Sequence, residues 1–209
     1  MGTKAPVGSA PLLSRRSLHL AIMTALLAPR LASATEGDKN SYRVLGAGML
    51  PTIAEDEYVF AEFYGDAAPE RGDVAVFHAT FSQGTPFVRR IIGIPGDRVQ
   101  LKQGLIYLNS VVAGRRAVEV GETTGAREFV EVLGGRSYHI LKDAGFPWRD
   151  DTAELAVPPG RYYVLGDNRD NAVDSRDEQI GLVARDTLIG RVQRIYWSPQ
   201  CSRIGKIVE

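Results

Sequence analysis

Short extended runs, each ended by turn residues, constrain this chain more than any other feature. Residues 42–45, 57–63, 73–77, 87–94, 98–102, 105–108, 137–142, 161–165 and 188–196 are enriched in β-branched and aromatic side chains, with Gly, Pro, Asn and Asp clustered between them. Gln103-Gly104 separates two such runs and signals a tight hairpin. Arg71-Gly72-Asp73 and Pro95-Gly96-Asp97 mark further turns, and Pro158-Pro159-Gly160 introduces the run at 161–165. No long amphipathic helical pattern occurs after the first 34 residues, so the spacing predicts a mainly β protein built on one core. Residues 110–157 carry the weakest pattern and are expected to form a less regular β-rich insertion or subdomain. Residues 35–41 are polar and read as a lead-in.

The 209 residues suffice for one ordinary domain or two small ones, and 44% apolar with 24% charged residues is a globular composition. The formal charge is zero but unevenly placed. Residues 1–34 hold four of the 25 basic residues (Lys4, Arg15, Arg16, Arg30) and no acid, which leaves 21 basic against 25 acidic residues beyond them. Without a basic face, nucleic-acid binding is not expected. A single cysteine, Cys201, excludes an internal disulfide and a multi-cysteine zinc site; it reads as a free thiol or, if exported, an intermolecular bridge. There is no metal-ligand spacing and no phosphate loop, so no metal and no cofactor are expected.

The first 34 residues read as an export signal. Arg15-Arg16 precedes a moderately apolar run at 18–28, about half the roughly 20 residues of a membrane-spanning helix, and Ala32-Ser33-Ala34 forms an A-x-A cleavage signal. Paired arginines before the apolar run match a twin-arginine leader, with residues 35–209 as the mature domain. A retained membrane-associated anchor is the alternative, and Arg30, between the apolar run and the cleavage signal, departs from the usual leader.

A dense polar stretch, Gly166-Asp167-Asn168-Arg169-Asp170-Asn171-Ala172-Val173-Asp174-Ser175-Arg176, follows the run at 161–165. Alone it is either a solvated charged turn or a loop ordered by its own Asp–Arg pairs. Three other stretches precede it: Gly48-Met49-Leu50-Pro51-Thr52, Arg71-Gly72-Asp73-Val74, and Arg89-Arg90-Ile91-Ile92-Gly93-Ile94-Pro95-Gly96-Asp97. In this order the four resemble the signature boxes of type I signal peptidases, over about residues 42–196. The resemblance implies a signal-peptidase-like β-sheet or barrel core, an extended signal-peptide segment as partner, and an address on the outer face of the inner membrane or in the periplasm, with possible association with the membrane surface.

The resemblance also implies a serine nucleophile and a lysine general base, and here this chain departs from the pattern. The serine's position is Gly48, which has no oxygen to form an acyl-enzyme. The lysine's position is Arg89, which stays protonated and cannot act as a base. A serine that helps bind the oxyanion falls on Gly46, and one that orients the lysine falls on Ala172. Thr52 matches a structural threonine, and Ser41 lies outside the motif. His78 and His139 have no nucleophile spaced beside them and read as ordinary strand or loop residues. The expectation is a non-catalytic relative that binds extended peptide or serves a structural or regulatory role. The alternative is an active serine-type signal peptidase with an unrecognised nucleophile. A second Ser–Lys class, the self-cleaving repressor-type peptidases, accounts for neither the last box nor the leader. Met49, Leu50 and Ile53 are candidates for lining a peptide groove or, equally, for core packing. Asp167, Asn168, Arg169, Asp174 and Arg176 are expected to brace the site, with Asp174 paired to Arg176. Arg89, if buried, needs a carboxylate, from Asp167, Asp170 or Asp174, or several carbonyls.

Overall fold

A computed structural model describes residues 40–82, 84–118, 126–143 and 149–209. The chain divides into two units, Met1–Thr35 and Glu36–Glu209, and everything described lies in the second. The predicted export leader and its cleavage signal lie outside the described residues.

The described residues form fourteen strands: β1 Ser41–Arg43, β2 Tyr58–Phe63, β3 Val74–His78, β4 Pro86–Gly93, β5 Arg98–Lys102, β6 Leu105–Leu108, β7 Val111–Val112, β8 Gly114–Ala117, β9 Ala126–Leu133, β10 Arg136–Asp143, β11 Leu155–Ala156, β12 Arg161–Leu165, β13 Val183–Ala184 and β14 Leu188–Trp197. They build three antiparallel sheets, of orders β1-β2-β14-β3-β4-β12-β13, β10-β9-β8 and β11-β5-β6-β7. The protein is mainly β. The large sheet is open, since β1 and β13 at its two ends do not pair among the described residues.

All nine predicted runs become strands, three of them with the predicted bounds and the others with ends moved by one or two residues. Gln103 and Gly104 both take positive φ, 52° and 73°, the twist a two-residue turn needs to join β5 to β6. The region 110–157 is more ordered than expected. It holds the full eight-pair hairpin of β9 and β10, closed by Gly134 and Gly135 at φ 59° and 81°. Leu133, Tyr138 and Ile140 of that hairpin share one buried cluster with Ile92, Val99, Leu101, Ile106, Tyr163 and Leu165, so the insertion packs into the same core. Register shifts in β14 at Leu188/Gly190, Val192/Arg194 and Ile195/Trp197 let it bend while pairing with both β2 and β3. Gly190 permits this closeness, because a Cβ there would lie 2.4 Å from the Glu62 carbonyl oxygen.

Candidate functional site

Gly48 sits in a single 3₁₀ turn, Ala47–Met49, that packs beside β4. The turn is pinned from below. Met49 and Ile53 are fully buried beside Val44, Val59, Val74, Val76 and Val88. Their side chains therefore belong to the core and line no groove. Of the three candidate groove residues only Leu50 keeps partial exposure.

The loop 164–176 closes over this turn. Asn168 donates from its backbone to the Gly48 carbonyl (3.1 Å) and from its amide to the Ala47 carbonyl (3.0 Å). Gly166 must be glycine: a Cβ there would lie 2.5 Å from the Gly48 oxygen and 2.3 Å from the Ala172 Cβ. Gly48 and Ala172 therefore meet across Gly166. The solvated-turn reading of this stretch fails, because Asp167, Arg169 and Asp174 are all buried.

Arg89 and Arg90 are neighbours on β4, and strand alternation sends them to opposite faces. Arg90 is fully buried and forms a bidentate pair with Asp167 (Nε–Oδ1 2.9 Å, Nη2–Oδ2 2.7 Å). Its third nitrogen donates to the Gly72 and Glu209 carbonyls, and its guanidinium lies 4.0 Å from the centre of the Tyr138 ring. The Thr52 hydroxyl donates to Asp167 Oδ2 at 2.5 Å, which ties the first box to the last. Asp174 accepts both arms of Arg176 and the Gly166 amide, and Arg176 also reaches the Arg169 carbonyl. The expected Asp174–Arg176 brace is thus present in the geometry.

Arg89 takes none of the three acids proposed for it. Asp167 is held by Arg90, Asp170 by Lys142, and Asp174 by Arg176. Arg89 instead donates through Nε to the Val173 carbonyl (2.9 Å) and through Nη1 to the Val88 carbonyl (2.6 Å), with the Phe87 ring 5.4 Å away. Burial lowers its pKa from the ordinary guanidinium value, and the charges of Asp174 and Asp167 oppose that. It remains a cation at any ordinary pH. Its head packs directly on Gly48: a Cβ on that glycine would stand 3.1 Å from Nη2, 3.2 Å from Cζ and 3.3 Å from Nη1. Gly46 is different, for a Cβ there meets nothing within 4 Å. Gly46, Gly48 and Arg89 border one cleft of about 170 Å³, walled by Val44, Leu45, Thr85, Pro86, Phe87 and Val88.

The sequence reading missed Glu131, which is 1% exposed and binds Arg169 with both oxygens, Arg115, and the Tyr138 hydroxyl (2.8 Å). Its signal was available. Phe129, Glu131 and Leu133 fall on one face of a strand, and a carboxylate on an otherwise apolar face demands cations. Burial would raise the Glu131 pKa, but Arg169 and Arg115 outweigh it and hold the carboxyl at about 2. The same pairing pushes Arg169 upward, and the two shifts describe one interaction, counted once. Because the folded pKa lies below the unfolded one, this stability is complete above the ordinary carboxyl range and is lost as pH falls from about 4.5 to about 2. The loss is on the order of 3 kcal/mol. Thermal midpoints measured across that window should fall steeply, and Glu131→Gln should flatten the curve there. Parallel curves for the two proteins would remove Glu131 as the titrating group.

Among the described residues no group of His, Cys, Asp or Glu could hold a metal ion. No helix among them is long and apolar enough to cross a membrane. Cys201 is exposed with a free thiol.

Comparison with known proteins now gives these boxes a family. The model of the family "Signal peptidase, peptidase S26" matches residues 15–197. Signal peptidase I of Rickettsia typhi is 32% identical over 191 residues, covering 75% of this chain and 71% of that protein. Signal peptidase I of Rickettsia bellii is 37% identical over 142 residues, covering 62% of this chain and 48% of that protein. Among solved structures, a signal peptidase I from Enterococcus faecalis V583 is similar at 24% identity, covering 59% of this chain and 96% of that one, with a TM-score of 0.37. This chain belongs to the type I signal peptidase family, peptidase S26.

Proposed function

We propose that this member of the signal peptidase family binds extended peptide without cleaving it. The observation that carries the reading is the packing of the Arg89 guanidinium against the bare Cα of Gly48. At the two positions the family chemistry requires, one residue has no nucleophilic atom and the other cannot accept a proton. Gly46 and Ala172 remove the two supporting hydroxyls.

Peptide binding is supported by what the cleft still offers. Strand β12 pairs with β4 only from Arg90 onward, so residues 86–89 have no strand partner on that side, where the Val88 carbonyl accepts from Arg89 and the Val88 amide and Pro86 carbonyl make no strand pairing. Among the described residues, neither the amide nor the carbonyl of Leu45 makes a backbone hydrogen bond. Two such edges across a cleft suit an extended chain, which adds by backbone hydrogen bonds. Within this reading residues 1–34 are the export leader, residues 35–209 form the mature domain, and the protein works in the periplasm or at the outer face of the inner membrane. Exposed Tyr196 and Trp197 at the end of β14 support a membrane-surface position.

The test incubates the purified chain with a fluorogenic signal-peptide substrate and separately measures binding of the same peptide. Saturable binding with no turnover is expected. Cleavage would sink the non-catalytic reading, and substitution of the remaining hydroxyl residues would then locate the nucleophile.

A further inference from the structure

We infer that the cleft prefers peptides ending in a free α-carboxylate, so that it binds a cleaved peptide more tightly than an uncut precursor. This rests on the peptide-binding reading and adds the chemical class of the ligand.

The inference comes from the unspent bonding capacity of Arg89. A guanidinium offers five N–H donors in a planar fork that matches a carboxylate. Two of its nitrogens are committed to the Val173 and Val88 carbonyls, while Nη2 has no partner among the described residues. No acid lies within ion-pair distance of Arg89 among those residues. The three carboxylates whose charge it feels, Asp174, Asp167 and Asp177, are each bound to another cation: Arg176, Arg90 and Arg149. Those cations offset part of their charge, which lowers the repulsion an incoming anion would meet, while the remainder still favours the cation on Arg89. A half-buried cation with a free donor and no counter-ion, at the edge of a cleft walled by apolar side chains, is under-compensated.

Gly48 completes the arrangement. A side chain at this position would press on Nη2 at 3.1 Å. The bare glycine leaves the space beside that donor unfilled, and both residues line the cleft. A peptide lying along residues 86–89 on the side without a strand partner and stopping at Gly48 would present its terminal carboxylate to Nη2. A peptide that continued past Gly48 would bring a neutral amide to the same point and leave the cation unpaired. Discrimination between the two is a charge-assisted hydrogen bond, about tenfold or more in affinity.

The test uses the full chain and an acetylated synthetic peptide with the sequence of residues 27–34, Leu-Ala-Pro-Arg-Leu-Ala-Ser-Ala, prepared as free acid and as C-terminal amide. Titration calorimetry is expected to give about tenfold tighter binding of the acid, with a preference that shrinks as salt rises. Arg89→Gln should bring the acid down to the affinity of the amide, and Arg89→Lys should keep part of the preference. Equal affinities for acid and amide overturn the inference and leave peptide binding standing. Binding of neither form at millimolar concentration overturns both. A preference that persists in Arg89→Gln assigns the carboxylate to another cation and removes Arg89 from the role.

Discussion

Replacing Arg90 by methionine is expected to destabilise the domain by about 3–5 kcal/mol, because it strands Asp167 as an unpaired charge in a fully buried place. Only the Thr52 hydroxyl would remain on that carboxylate among the side chains that hold it. The Tyr138 ring would lose its cation as well. For a domain of this size the loss corresponds to roughly 10 °C in the thermal midpoint. The double variant Arg90→Met with Asp167→Leu should recover most of it, since an apolar pair of similar volume does not bear the desolvation cost. Urea unfolding of the wild type, both single variants and the double variant forms the required cycle. A single variant within about 1 kcal/mol of wild type would mean that water reaches the pair and that it does not brace the site.

The second large effect concerns hydrolysis. Gly48→Ser alone is expected to give no activity, because the new hydroxyl faces a guanidinium that cannot take its proton. Arg89→Lys alone supplies a base with no nucleophile. The pair Gly48→Ser and Arg89→Lys should yield weak signal-peptide cleavage, rising with pH as the lysine loses its proton. Two handicaps bound the gain. The charges of Asp174 and Asp167 favour a cation at position 89, so burial must work against them to free the amine. The family resemblance puts an oxyanion-binding serine at the position of Gly46, and its lack is expected to cost about 100- to 1,000-fold in kcat. Adding Ala172→Ser and Gly46→Ser should raise the rate stepwise. Single-turnover assays on the wild type and these five variants decide the matter. Full activity in the double variant would show that neither supporting hydroxyl is needed, and activity in wild type would remove the premise.

The fold was legible because strand and turn chemistry is local. The hairpin at Gln103-Gly104 follows from two residues, while the Asp174–Arg176 pairing came with the family resemblance. The partners of the site were less legible because they are set by topology. Asp167 meets Arg90 across 77 positions and Glu131 meets Arg169 across 38. No local pattern tells Asp167 to choose Arg90 over Arg89, since that choice depends on which face of β4 turns toward the loop. For the same reason Met49 and Ile53 looked equally suited to groove and core. Their burial is fixed by β2, β3 and β14, which come later in the chain.

The contact between Arg89 and Gly48 also gives the site a direction. A serine introduced at position 48 first would meet a guanidinium at 3.1–3.3 Å and crowd it. A lysine introduced at position 89 first meets only the open Cα of glycine. The two substitutions therefore do not commute. The path through Arg89→Lys meets no such contact, whereas the path through Gly48→Ser makes the arginine head shift by a few tenths of an ångström, so the order of the two substitutions is expected to matter for stability before it matters for chemistry.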